Sequence, residues 1–229
     1  VSLAGYAIEL ASKTPFQEYV RATVLRPLGM RATGYSVIDK QRRDVAVAYS
    51  YSNSIHKPME FRHTSIDPAV GVLTTGSDMT RLMRAHLSGG KKWVSARTLK
   101  LMHEPQYSDD PRLGLWFTCG FWRMMNARNE PDLFHYGGAF GFVAQVVILP
   151  AADLAVFVAQ NRDTELGFHL GDLETILGWK SNSTNAAPVE PPKRIPSDPA
   201  HLESLAGTYV PGRDLSRGRP LTTNDHMYV

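Results

Sequence analysis

The stretch that decides the fold is Phe134-His135-Tyr136-Gly137-Gly138-Ala139-Phe140-Gly141, which leads directly into the apolar run Phe142–Leu149. A second β-branched, apolar run, Leu154–Ala159, follows after the turn-like Pro150-Ala151-Ala152-Asp153. This pattern predicts two adjacent strands covered on both faces. His135 stands where a strand is about to begin. Glycines inside a strand leave nothing to pack, so Gly137 and Gly138 indicate a strand edge that a ligand approaches closely. The alternative is a Gly-rich turn beside an ordinary histidine.

Helical periodicity surrounds this strand region on both sides. Residues 1–12 read as an amphipathic helix, and a second helix should begin after Thr14, with Pro15 at its first position and Gln17 completing a capping box. It should end near Pro27 and Gly29. Further elements are expected in the following order: strands near Val45–Tyr51, helices from Ser77 to Gly89-Gly90 and from Ser95 to His103, a strand over Leu113–Met124, and a helix over Thr164–Leu177.

Composition places the chain among ordinary globular proteins. Of its 229 residues, 43% are hydrophobic and 21% charged, which argues against disorder. The formal charge of +3 has no basic patch interleaved with aromatic residues, so solvated surface charge is favoured over nucleic-acid binding. No apolar run reaches the roughly 18 residues of a membrane span.

The chain is expected to fall into three parts. Residues 1–179 read as the C-terminal part of one domain. Residues 180–200 carry five prolines between Pro188 and Pro199 and read as a linker. Residues 201–229 read as the truncated start of an accessory β module, beginning with the strand-like Leu205-Ala206-Gly207-Thr208-Tyr209.

Several kinds of site are not supported. The chain contains no G-x-S-x-G, P-loop or Rossmann fingerprint. Its eight histidines never fall at i,i+2 or i,i+4, so no metal site on a single element is predicted, and no cofactor is implied. Asp109-Asp110 reads as exposed loop charge. Cys119 lies in an apolar-aromatic run, which favours a buried structural thiol over a nucleophile.

Four segments, taken in order, resemble serine β-lactamase-like enzymes and penicillin-binding proteins, the class C β-lactamase-related serine hydrolases. His135-Tyr136-Gly137 resembles their third motif, Lys-Thr-Gly or His-x-Gly, on the strand bordering the active site. The other three segments are Ala4-Gly5-Tyr6, the more specific Arg26-Pro27-Leu28-Gly29-Met30, and Pro68–Met79, which is similar to the family's Pro-Ala-Gly-Gly-Leu-x-Ser-Thr-x-x-Asp-Met. Together with the two later strands, the resemblance covers roughly residues 1–178.

The resemblance implies an α+β fold, a β-lactamase/transpeptidase-like antiparallel sheet flanked by helices and incomplete at the N-terminus. It implies acyl transfer to an active-site serine, with an ester, amide or β-lactam as small-molecule substrate. His135 would orient the substrate or assist proton transfer, and Tyr136 and Gly137 would line the substrate site. The N–H of Gly138 would be the second oxyanion donor. An extracytoplasmic location is also implied, whereas the oligomeric state is left open.

The family's Ser-x-x-Lys and Tyr-x-Asn motifs are expected upstream of Val1. Ser54-Ile55-His56-Lys57 and Tyr51-Ser52-Asn53 match them formally, but they are adjacent and in the wrong order. The nucleophilic serine needs a helix N-terminus. Pro58, which directly follows Lys57, disfavours a helix there. These residues alone are therefore expected to be inactive.

Two further roles stay open, as does catalysis itself. Val70–Thr75 could be a pocket wall or a packed loop. Trp116, Phe117, Phe121 and Trp122 could border an acyl pocket, although strand core is favoured. Since fold does not fix function, a non-catalytic binding or scaffold protein on the same fold is the alternative to a serine hydrolase.

Overall fold

The computed structural model describes residues 1–35, 45–62, 67–108, 114–162, 164, 166 and 170–179, all within one compact unit, Val1–Ser183. The predicted linker over 180–200 and the β module over 201–229 lie outside these residues, as does Asp109-Asp110. Both domain boundaries therefore stay predictions.

The described residues contain seven α-helices and seven strands. The helices are α1 (Ser2–Ser12), α2 (Phe16–Val20), α3 (Arg26–Leu28), α4 (Asp67–Val70), α5 (Gly76–Leu87), α6 (Ala96–His103) and α7 (Leu170–Ile176). The strands are β1 (Ala48–Ser52), β2 (Ile55–Met59), β3 (Leu115–Phe117), β4 (Trp122–Met125), β5 (Pro131–Ala139), β6 (Phe142–Leu149) and β7 (Leu154–Gln160). The predicted α+β class, an antiparallel sheet flanked by helices, is confirmed.

A five-stranded antiparallel sheet in the order β3-β4-β5-β6-β7 forms the centre of the fold. Strands that are neighbours in the sheet are also neighbours in the sequence, and each is joined to the next by a short connection. The core lies on its middle strands, where Leu133, Val147, Ile148 and Leu149 are almost fully buried. Leu173 of α7 packs on one face with Val147 and Leu149. The predicted hairpin of apolar strands is confirmed.

The strand predicted over Leu113–Met124 is wrong, because a tight turn divides it into β3 and β4. Thr118 closes this turn: its N–H donates to the carbonyl of Phe121 at 2.8 Å, and its Oγ1 accepts from the N–H of Phe121 at 3.2 Å. Gly120 adopts φ 99°, which a residue with a Cβ rarely does. Cys119 lies in the turn and is exposed, so the expected burial of its thiol is also wrong.

The start of the second helix differs from the predicted capping box. The helix begins at Phe16, and the acceptor for the Phe16 N–H is the Glu9 carboxylate of α1, at 2.7 Å. Thr14 Oγ1 donates to the carbonyl of Ser12 instead. A π-helical turn, Arg21–Leu25, joins α2 to α3 immediately before Pro27, whose missing N–H cannot support a regular α-helical bond. Gly29 ends α3 at φ 71°, as predicted.

Gly5 and Asp78, which lie in two of the motif segments, have structural roles. A Cβ on Gly5 of α1 would lie 2.6 Å from Pro68 Cγ, so glycine is needed for α1 to pack against α4. The buried Asp78 carboxylate accepts from the Ala32 N–H and the Thr33 hydroxyl, both at 2.8 Å, and pairs with Arg81 at 2.9 Å. These bonds fasten the loop after α3 to the start of α5.

The remaining helix predictions have mixed outcomes. Thr75 and Ser95 cap α5 and α6 by accepting from the N–H groups three residues later. Gly89 and Gly90, both at positive φ, end α5 as expected. The helix predicted over Thr164–Leu177 is shorter, since Thr164 and Leu166 are not helical and the described helix begins at Leu170.

Candidate functional site

Strand β5 carries every residue predicted for the site, and part of its edge is open. Contrary to the sequence interpretation, the strand begins at Pro131, so His135 is its fifth residue. On one side β6 pairs with it as far as Ala139. On the other side β4 pairs with it only as far as Phe134. Among the described strands, none borders residues 135–139 on that second side, so this part of β5 is a free sheet edge.

The turn after β5 determines which backbone groups face the free edge. Phe140 and Gly141 adopt φ 51° and 83°, and Ala139 pairs with Phe142 across them. A two-residue turn of this kind is closed by hydrogen bonds between its flanking residues. Along an antiparallel pair of strands, hydrogen-bonded residue pairs alternate with pairs that are not hydrogen-bonded to each other. Counting from the turn, Gly138 and Val143 form a pair that is not hydrogen-bonded, and so do Tyr136 and Gln145. The N–H and C=O groups of Gly138 and Tyr136 therefore point toward the free edge.

Gly137 and Gly138 differ in the space that surrounds the position of a Cβ. A Cβ built on Gly137 would meet no described atom within 4 Å, so the space beside it is open. A Cβ on Gly138 would lie 3.4 Å from Val143 Cγ2 and 3.5 Å from the Phe142 carbonyl oxygen. Packing among the described residues therefore explains a glycine at 138 in part, but not one at 137.

His135 is accessible at the free edge and is stacked on one face. The Trp122 ring lies parallel to the imidazole, with ring centroids 5.8 Å apart and an interplanar angle of 12°. Partial burial lowers the pKa of His135 below its usual 6.5, because it removes hydration from the charged form. The imidazole is therefore mostly neutral at pH 7, and it can both donate and accept a hydrogen bond.

The formal matches to the nucleophile motif lie in unsuitable places. Ser54 is in the tight turn of the β1–β2 hairpin at φ 62°, and Lys57 is exposed on β2. A second match, Ser88-Gly89-Gly90-Lys91, escaped the sequence reasoning. Ser88 is at the C-terminal end of α5, where its Oγ donates to the carbonyl of Ala85 at 3.4 Å. Neither serine is at a helix N-terminus, where its own N–H could face an oxyanion.

The two open assignments around the site are partly resolved. Val70 and Val72 are 42% and 47% exposed, so Val70–Thr75 is not a fully packed loop. Leu73 is fastened to Gly34 by two backbone hydrogen bonds of 2.8 and 3.0 Å. Of the four aromatic residues, Trp122 contacts His135, whereas Phe121 packs against His86 and His103. Sequence reasoning missed the contact of Trp122 with His135, which depends on strand register.

The described part of the chain shows neither a metal-ligand group nor a membrane-spanning helix. It holds no group of three or more His, Cys, Asp or Glu side chains that could bind a metal ion. None of its helices is long and apolar enough to cross a membrane.

An antiparallel sheet flanked by helices, with a His-x-Gly triplet on an open edge of an inner strand, defines the class as β-lactamase and penicillin-binding protein-like. The sequence model of the Beta-lactamase family matches residues 1–177. The chain therefore belongs to the Beta-lactamase family, and the resemblance inferred from its motifs is confirmed.

Solved structures agree on the fold. The octameric penicillin-binding protein homologue from Pyrococcus abyssi matches with a TM-score of 0.65 and 21% identity, over 90% of this chain and 46% of its own. The β-lactamase/D-alanine carboxypeptidase from Pseudomonas syringae has a TM-score of 0.65 and 16% identity, over 82% and 58%. A class C β-lactamase has a TM-score of 0.61 and 16% identity, over 81% and 56%. The chain thus spans about half the length of these proteins.

Proposed function

We propose that β5 forms one wall of the active site of a serine hydrolase, which acts on an ester, a β-lactam or a D-amino-acid amide through an acyl-enzyme. The observation that carries this proposal is the free edge at residues 135–139, toward which the Gly138 N–H points. An N–H fixed in a strand and directed at open space can stabilise an oxyanion without reorganising during the reaction. Membership of the Beta-lactamase family supports the choice of reaction.

The serine and its proton-transfer partners are proposed to lie outside residues 1–229. The serine Oγ attacks the substrate carbonyl carbon and passes its proton to a basic partner, and the resulting oxyanion accepts from the Gly138 N–H. The C–O or C–N bond then breaks, and the leaving group takes up the proton. Water hydrolyses the acyl-enzyme by the same steps. The open space beside Gly137 would admit the acyl chain.

The neutral His135 bears on the choice of substrate. A lysine at this position would be a permanent cation and would suit substrates carrying a carboxylate. His135 has a lowered pKa and is mostly uncharged at pH 7, so it attracts a carboxylate less strongly. This favours an esterase or peptidase over an efficient β-lactamase. The extracytoplasmic location expected from the resemblance stays a prediction.

The test is covalent labelling of the full-length protein that contains this chain. A fluorophosphonate probe is added, and mass spectrometry locates the modified residue. The proposal expects a serine outside residues 1–229 in a Ser-x-x-Lys motif. It also expects slower labelling in His135→Ala. His135→Lys should raise labelling by a fluorescent penicillin relative to the fluorophosphonate, because it restores a cation.

Two results would contradict the proposal. Labelling of Ser54 or Ser88 would place the nucleophile inside the chain. No labelling by either probe, in a protein that is folded by circular dichroism, would favour the non-catalytic binding or scaffold alternative.

A further inference from the structure

The stack between Trp122 and His135 occurs where the free edge of β5 begins. Trp122 is the first residue of β4 and pairs with Phe134, the last residue of β5 that β4 covers. Its ring reaches past this pair to the next residue, His135, at a centroid distance of 5.8 Å. The ring therefore lies parallel to one face of the imidazole, in an offset stack, at the boundary between the paired and the open parts of β5.

The Trp122 ring packs against Phe134, and its neighbour in sequence is packed as well. It lies 5.2 Å from the Phe134 ring, and Phe134 packs against the core cluster of Val147, Leu149 and Leu173. The preceding residue, Phe121, meets the buried His86 ring edge-on at 5.1 Å. Because these contacts restrain Trp122 and the residue before it, the Trp122 ring offers a plane against which the imidazole can stack.

A parallel stack constrains the imidazole in a particular way. Both ring nitrogens lie in the ring plane, so contact with one face fixes that plane and leaves the nitrogens free to reach a ligand. The stack also removes water from one face, and removing hydration disfavours the charged form. Among described residues, the titratable neighbours in sequence are Arg123 on β4 and Tyr136 on β5, and His86 and His103, on α5 and α6, lie against Phe121.

We propose that Trp122 is a positioning residue for His135, which holds the imidazole plane toward the free edge of β5 for its part in acyl transfer. The second half of this proposal rests on the proposed function, whereas the first half concerns the fold alone. Trp122 itself need not touch the substrate.

The test compares three variants of the full-length protein with the wild type. Trp122→Leu keeps an apolar side chain on β4 and removes the aromatic plane. Trp122→Phe keeps a smaller plane and serves as the conservative rescue. Trp116→Leu is the matched control, since Trp116 lies on β3 opposite Arg123. Thermal unfolding first confirms that each variant is folded. If Trp122→Leu does not fold, the His135 titration is compared between Trp122→Phe and the wild type.

The primary measurement is the titration of His135 by NMR, with histidine labelled at the imidazole carbon and His135→Gln used for assignment. In Trp122→Leu the pKa of His135 should rise toward 6.5. Trp122→Phe should restore part of the shift, and Trp116→Leu should match the wild type. An unchanged His135 titration in folded Trp122→Leu would overturn the proposal.

The second measurement is the pH profile of kcat/KM for a p-nitrophenyl ester. With Trp122→Leu, kcat should fall about 10–100-fold, the scale expected for misplacement of a reacting group by about 1 Å, while KM changes little. The acid limb of the profile should move with the His135 pKa. A shifted pKa with an unchanged pH profile would support the stack but contradict the second half of this proposal, the part of His135 in acyl transfer.

Discussion

Replacement of the buried Asp132 by asparagine should stabilise the protein above pH 6. Asp132 lies on β5 and is 1% exposed. Its Oδ1 accepts from Asn126 Nδ2 at 3.0 Å, while Oδ2 has no hydrogen-bond partner among the described residues. Burial raises the pKa of Asp132 to about 6, against the lowering effect of the Asn126 bond, and the charges of Glu174 and Glu130 raise it further.

The sign follows from proton uptake. The pKa of Asp132 is about 6 in the folded protein, against 3.8 for an aspartate free of these effects. The folded state therefore binds more protons between these values, and stability falls as pH rises from about 4 to 6. A difference of about two pH units corresponds to at most about 3 kcal/mol. Asp132→Asn removes this penalty and keeps an acceptor for Asn126, so a gain of about 2–3 kcal/mol, or about 5–10 °C in Tm, is expected at pH 8.

The variant must be compared with the wild type, because a second buried group has the opposite effect. Burial first, and the charge of His103 second, lower the pKa of His86 to about 4. The folded state therefore resists protonation of His86, and stability is lost as pH falls from 6.5 toward 4. The two contributions oppose each other over the same pH range, so the wild type alone should show a rather flat profile.

The assay is urea unfolding of the full-length protein, followed by tryptophan fluorescence at pH 4 and pH 8. The stability difference between Asp132→Asn and wild type should be about 2–3 kcal/mol at pH 8 and should nearly vanish at pH 4. Asp153→Asn, an exposed residue in the turn before β7, is the matched control and should change little. An equal stability difference at both pH values, or a less stable variant at pH 8, would refute this reasoning.

Three further variants test the fold and the site. Gly137→Ala should leave Tm within about 1 °C, because a Cβ there meets only open space. It should nevertheless slow the hydrolysis of long-chain p-nitrophenyl esters more than that of p-nitrophenyl acetate. Equal effects on both esters would contradict a role for Gly137 in admitting the acyl chain. Glu9→Ala should cost about 1 kcal/mol in urea unfolding by leaving the Phe16 N–H without its acceptor, and the exposed Glu18→Ala should cost less. Phe140→Asn should stabilise the protein by about 1 kcal/mol, since the bulky Phe140 is held at φ 51° and Asn-Gly suits this turn; a destabilised variant would show that Phe140 packing outweighs the backbone strain.

Local signals were sufficient where the stabilising contacts are local. The helix starts predicted at Ser77 and Ser95 lie within two residues of the actual capping residues, Thr75 and Ser95, because a cap needs only the N–H three residues on. The capping box after Thr14 failed because the acceptor is Glu9, seven residues upstream on another helix. The single strand expected over Leu113–Met124 failed because one glycine at positive φ is a weak signal within an aromatic run.

The candidate site could be predicted as a segment but not as a geometry. The residues His135 to Gly138 were identified from glycines that a strand would not otherwise favour. The direction of the Gly138 N–H depends on the register of β5 with β6 and on the turn at Phe140, and neither can be read from composition. The contacts of Trp122 with His135 and of Asp132 with Asn126 depend on how β4 and β5 pair.

The decisive measurement is the rate of acylation by a fluorophosphonate in the full-length protein, compared between Gly138→Pro and Gly138→Ala. Proline removes the N–H that faces the free edge, at a position where β6 does not use it. Alanine keeps the N–H and adds a Cβ at the tolerable distance of 3.4 Å from Val143. If the Gly138 N–H stabilises the oxyanion, Gly138→Pro should lose about 100–1,000-fold in rate, whereas Gly138→Ala stays within a few-fold of wild type. Equal rates in the two folded variants would contradict this role.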